Sequence, residues 1–93
     1  MVRIVKLEKA NDGKHKYIAT FDDGTRTKFG AYGMSDYTIH KDKDRKRLYE
    51  LRHKKDLDTK DPRRAGYLSM FILWNKPTIE ESLKDFNRRF SQM

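Results

Sequence analysis

Apolar residues fall into two regimes along this chain. Up to residue 29 they alternate with polar ones, the period of a half-buried strand, and from residue 67 they first run together and then recur every three to four positions. Residues 2–7 mostly alternate, residues 16–21 are rich in aromatic and β-branched side chains, and residues 25–29 alternate again. Asn11-Asp12-Gly13 and Asp22-Asp23-Gly24 punctuate them as tight turns, the Asp-Gly pair being a strong hairpin signal. The pattern predicts a three-stranded antiparallel meander that covers one face with Ile4, Tyr17, Ala19, Phe21 and Phe29.

The second regime begins with residues 67–74, apolar except for Ser69 and holding the single Trp. A helix there must be buried on nearly every side. Asn75-Lys76-Pro77 forms a sharp turn, and Thr78 with Glu81 three residues on has the spacing of a capping box. The helix that starts there carries Ile79, Leu83, Phe86 and Phe90 on one stripe, which fits an amphipathic element folding back.

Between the regimes the signals are thinner. Gly30 and Gly33 are expected to break the sheet, with Tyr32 and Met34 packing back on it. Ser35 or Asp36 caps a short helical turn carrying Tyr37 and Ile39. Residues 42–55 read as a helix that starts with acids and ends with Lys54 and Lys55, the order that suits the macrodipole. Only Leu48, Tyr49 and Leu51 supply its core stripe, and residues 56–62 read as a polar loop. The predicted fold is α+β in one domain: a β-meander over 1–30, a basic helical segment over 31–64, and a buried helix plus an amphipathic helix over 65–93.

Charge changes this picture more than composition does. Lys plus Arg is 22 against 14 Asp plus Glu, a net charge of +8. Such a surface suits an anion, whether nucleic acid, an acidic protein face or an anionic membrane; the bland alternative is solubility alone. Without cysteine, disulfides, thiolate metal sites and a cysteine nucleophile are excluded. Charges interrupt the first residues too often for a signal-peptide core, and the apolar run is far short of the roughly 20 residues that span a bilayer. An intracellular protein without a membrane span is expected.

The segment 41–55 holds Lys41, Lys43, Arg45, Lys46, Arg47, Arg52, Lys54 and Lys55 against Asp42, Asp44 and Glu50, and Arg63 and Arg64 extend it. Such a strip can lie along a phosphate backbone and release counterions; the competing reading is a solvated helix face laced with i, i+4 pairs. Tyr32, Tyr37 and Tyr49 interleave with these cations and could stack on bases, against burial in a small core. Phe71, Leu73 and Trp74 are the candidate partner contacts, because the apolar run exceeds what one face can bury on a small sheet. On a continuous helix Asp36, His40 and Asp44 would share a face, an arrangement resembling a metal site, but no third nitrogen or sulfur ligand accompanies them. Asp36 and His40 beside Ser35 lack the elbow and oxyanion element of a catalytic triad. Gly30-Ala31-Tyr32-Gly33 is no phosphate loop, so neither cofactor nor small-molecule substrate is expected.

Residues 29–42, beginning Phe29-Gly30 and containing Ser35-Asp36-Tyr37-Thr38, residues 45–55, Ala65-Gly66, Leu73-Trp74-Asn75-Lys76-Pro77-Thr78 and Ser82 carry a resemblance. The chain is similar to a family of small basic proteins of unknown function encoded by large double-stranded DNA viruses of algae and protists, the nucleocytoplasmic large DNA viruses. It departs at residues 66–70, where the family has a more aromatic, Arg-containing run. The resemblance carries over no site residue. It implies a viral protein made in the cytoplasm or nucleus of an infected cell and packaged in the virion. The expected function is therefore non-enzymatic binding of nucleic acid through backbone charge. The alternative is a minor capsid protein cementing acidic neighbours, and an enzyme built on His40 and Asp36 ranks last.

Overall fold

The computed structural model describes residues 2–91. Strands β1 (Ile4–Lys9), β2 (His15–Phe21) and β3 (Arg26–Ala31) form an antiparallel sheet in the order β1-β2-β3. Ile4 pairs with Phe21 and Tyr17 with Phe29, so four of the five predicted side chains meet in pairs across the strands. Ile4, Ala19, Phe21 and Phe29 are buried and Tyr17 packs on their edge, its ring 6.0 Å from that of Phe29. The imperfect alternation of β1 has a structural cause. Its register shifts between Ile4 and Lys6, and this bulge lets Ile4 and Leu7 both reach the core although they stand three positions apart, on opposite faces of a regular strand.

The sheet does not end at Gly30. β3 continues through Gly30 to Ala31, because Gly30 takes a φ of +80° and brings its backbone against Leu73 without a side chain between them. Tyr32 and Met34, expected to pack back, are instead exposed. Helix α1 (Tyr37–His40) is capped by buried Asp36 and stopped by Lys41 in the left-handed region. Helix α2 (Lys43–Arg52) follows, with Asp42 accepting from the N–H groups of Asp44 and Arg45. It is shorter than predicted: His53 leaves the helical region and residues Lys54–Thr59 form a 3₁₀ helix where a longer α-helix and then a loop were expected. The tighter path brings Leu57 onto the core, where the Tyr67 hydroxyl donates to its carbonyl at 3.0 Å.

Helix α3 (Ala65–Leu68) runs directly into a π turn (Ser69–Leu73), giving the buried helix of the sequence reading. The widened turn rotates side chains that a regular α-helix would space evenly, so Leu68, Met70, Ile72, Leu73 and Trp74 are all buried. Helix α4 (Ile79–Phe90) starts at Thr78, whose hydroxyl accepts from the Glu81 N–H at 3.2 Å. The Glu81 carboxylate sits on that hydroxyl and not on the Thr78 amide. Phe86 and Phe90 pack their rings 4.7 Å apart, and Phe86 lies 6.5 Å from Phe21, which joins α4 to the sheet. At the sheet edge the Asn87 side chain accepts from the Ile4 N–H at 2.8 Å and donates to its carbonyl at 3.1 Å, satisfying a backbone that the sheet leaves open. The result is an α+β fold with the meander on one side and helices on the other. Among the described residues no helix is long and apolar enough to cross a membrane.

Asp85 ties α4 to the turn before it. Its carboxylate, 4% exposed, accepts from Asn75 at 2.6 Å, Arg88 at 2.6 Å and Arg89 at 3.1 Å. Burial pushes this carboxyl up, but the three donors outweigh it and hold the pKa down at about 2. A depressed folded-state pKa stabilises the protein above the ordinary value of 3.8, and that contribution is lost as pH falls through about 2. Asp85→Asn should therefore cost about 2 kcal/mol near neutral pH and progressively less below about pH 4. Urea melts of both proteins across that range check this; a cost independent of pH would refute the ionised network.

Candidate functional site

Helix α2 is basic because five of its ten residues are Lys or Arg. Lys43, Arg45, Arg47 and Arg52 are exposed, and none of them forms an ion pair among the described residues. Lys46 differs: it pairs with Glu50 at 3.8 Å and lies 5.2 Å from the centre of the Tyr37 ring, covering it. One i, i+4 pair is thus all that remains of the laced-face alternative on this helix. Lys54 and Lys55 are exposed on the 3₁₀ helix, and Lys41 sits in the α1–α2 junction with its ammonium on the Thr38 carbonyl at 3.2 Å. The predicted strip is therefore three short segments and not one helix.

Arg63 and Arg64 belong elsewhere. Arg63 lies over the Phe21 ring at 5.7 Å and pairs with Asp23 at 3.1 Å, while its carbonyl accepts from Thr27. Its work is to hold the chain against the β2–β3 turn. Arg64 is exposed near Asp61, at 3.9 Å. Nor do Leu48 and Leu51 form the predicted core stripe: they are 50% and 63% exposed, and no residue of α2 is fully buried. Tyr49 is the main anchor of the helix. Its ring lies 4.3 Å from that of Trp74 at an interplanar angle of 3°, and His53 covers its other face at 4.1 Å. Burial pushes the Tyr49 hydroxyl up, and the nearby Asp56 charge adds to the shift.

This arrangement reassigns the aromatic candidates. Both faces of Tyr49 are taken, so it offers no platform to a base; Tyr37 is buried and Tyr32 is exposed. Leu73 and Trp74 are core residues, at 2% and 9% exposure, so the proposed docking patch reduces to half-buried Phe71, packed between Phe90 and Arg89. Asp36 and His40 are likewise engaged. The Asp36 carboxylate accepts from Lys16 and from both the amide and the hydroxyl of Thr38. His40 Nδ1 accepts from the Asp42 N–H at 2.9 Å, while its buried Nε2 has no hydrogen-bond partner among the described residues. Lys41 breaks the helix between them, so Asp36, His40 and Asp44 share no face. Among the described residues no cluster of three or more His, Asp or Glu could hold a metal ion.

What the fold does create is a cleft of about 780 Å³ between α2, the loop after β3 and the π turn. Arg45, Leu48 and Arg52 line it from α2, Met34 from the loop, and Tyr49 and Trp74 from the aromatic stack. Half-buried Lys16 and buried Asp36 line it as an ion pair, with side chains 13% and 2% exposed. Residues 5–53, more than half of the chain, match the model of a family described as a family of unknown function (DUF5754). The chain belongs to that family. No curated protein and no solved structure matches it. The DUF5754 segment runs from β1 to the end of α2, and so includes the Lys16–Asp36 pair, Met34 and both arginines, whereas Trp74 and α4 lie outside it.

The sequence alone did not single out Lys16, Met34 or Leu48 as site residues. A lone Lys in a strand carries no signal. Leu48 between Arg45 and Arg52 does: an apolar residue at i, i+3, i+7 with two cations, on a helix with almost no other apolar content, marks a face with a use other than the core.

Proposed function

We propose that this DUF5754 protein binds nucleic acid through the charge of its phosphate backbone, without enzymatic activity. One observation carries the reading: Lys43, Arg45, Arg47 and Arg52 project from one helix, and none pairs with a carboxylate among the described residues. Lys54 and Lys55 continue the patch on the next turns. Each phosphate such a cation contacts releases condensed counterions, which gives sequence-independent affinity that falls with salt. The resemblance to small basic proteins of large double-stranded DNA viruses would make the genome the natural partner, met in the infected cell and carried into the virion. A capsid-cementing role through the apolar helix draws less support, because Leu73 and Trp74 are spent on the core.

Anisotropy of a labelled random duplex across a salt series tests this. Four phosphate contacts give a slope of log affinity against log salt of about −3.6. Reversing Lys43, Arg45 and Arg47 to Glu should flatten the slope and abolish retention at physiological salt, with the circular dichroism spectrum unchanged. Absence of binding at low salt, or a slope indifferent to the reversals, would overturn the reading.

A further inference from the structure

The cleft beside the basic helix has a composition that backbone charge alone does not explain. Its volume lies within the roughly 300–1,000 Å³ of small-ligand sites. Its one carboxylate, Asp36, is neutralised by Lys16, and Arg45 and Arg52 have no ion-pair partner among the described residues, so the cleft is net cationic. Yet its lips are apolar: Met34 is 64% exposed and Leu48 50% exposed, both large side chains left in water. On α2 the order is cation, apolar, cation at i, i+3 and i+7, one stripe about 10 Å long. The ligand that repeats charge, flat apolar group and charge at this scale is a nucleotide strand.

We propose that the cleft holds one unstacked nucleotide of a single strand, its base between Met34 and Leu48 and its two flanking phosphates on Arg45 and Arg52. This rests on the reading of the protein as a nucleic-acid binder and adds a preference to it. A duplex keeps its bases inside the stack, out of reach of Met34 and Leu48. It meets only the cations. The strand with an accessible base gains both contacts, and the apolar lips are then covered instead of wet. Tyr49 and Trp74, stacked on each other, line the wall against which the base rests. Trp74, the single Trp, makes occupancy visible.

The test uses the full-length protein with a labelled oligothymidylate and a duplex of equal length, read by anisotropy and by Trp74 fluorescence. The single strand should bind about tenfold more tightly than the duplex and quench Trp74, since each stacked base contributes on the order of 1–3 kcal/mol. Met34→Ser and Leu48→Ser, both at exposed positions, should bring single-strand affinity down to the duplex value and remove the quench. Equal binding of both probes, with the serine variants indistinguishable from the parent, would overturn the cleft proposal and leave the backbone-charge reading standing. No binding of either would overturn both. If thymidine monophosphate alone quenches Trp74 as strongly as the oligomer, and the single strand shows no excess over duplex, the cleft is a small-molecule site and the proposal fails.

Discussion

Replacing Trp74 with alanine is expected to cost about 3–5 kcal/mol and to release α2 from the fold. The first part follows from burial: Trp74 is 9% exposed and belongs to the main core, so its loss removes transfer energy and leaves a cavity. The second part follows from how α2 is held. That helix has no fully buried residue, and its leucines face water. Tyr49, sandwiched between Trp74 and His53, is its main attachment, with Lys46 on Tyr37 a weaker second. An isolated helix of 10 residues is marginal in water, so once the stack is gone little keeps it formed. Hydrogen exchange separates this from general destabilisation. In Trp74→Ala the amides of α2 should lose protection under conditions where those of β2 keep theirs, whereas Tyr49→Phe, which preserves the rings, should leave α2 protected. If α2 and β2 lose protection together in Trp74→Ala, the helix is held by more than the stack.

That attachment also shows where sequence reasoning reached and where it stopped. The meander was legible because alternation and Asp-Gly turns act locally: each strand declares its own buried face, and the hairpins leave one short way to join them. The Thr78 cap and the stripe of α4 were legible for the same reason, as interactions within one turn or one helix face. The middle of the chain was not. Leu48 and Leu51 looked like a core stripe because they are the apolar residues present; that Tyr49 alone faces inward depends on where Trp74 stands, a contact between segments distant in sequence. The end of α2 at Arg52 and the 3₁₀ path after it likewise answer to tertiary demands, the seating of Leu57 and Tyr67. For the candidate site, the cations could be counted from the sequence but their freedom could not. Arg63 and Lys46 proved to be occupied by Asp23, Phe21, Glu50 and Tyr37, while Arg45 and Arg52 have no ion-pair partner among the described residues. The cleft itself joins a strand, a loop, a helix and a π turn, and no local pattern encodes such a meeting.

Gly30→Ala is expected to destabilise the protein by about 2–5 kcal/mol, the sum of backbone strain and a clash. At a φ of +80° an L side chain costs about 1–2 kcal/mol in any surroundings. A Cβ at this position would also stand 2.8 Å from Leu73 Cδ1 and 3.1 Å from Lys16 Cβ. The end of a leucine side chain can usually give way, but Leu73 is 2% exposed and packed in the core, so relief must come from moving the π turn or the strand, at about 1–3 kcal/mol. Gly33→Ala supplies the internal control. Its φ of +83° is as unfavourable, and a Cβ there meets nothing within 4 Å. The difference in urea stability between the two variants therefore isolates the contact between β3 and the π turn. A difference of about 1–3 kcal/mol is expected. Equal losses would mean that Leu73 yields freely and that the junction is loosely packed. The same comparison bears on the cleft, which Gly30 and Leu73 line: displacing Leu73 moves the residue next to Trp74, so Gly30→Ala should alter Trp74 fluorescence in the native state where Gly33→Ala does not.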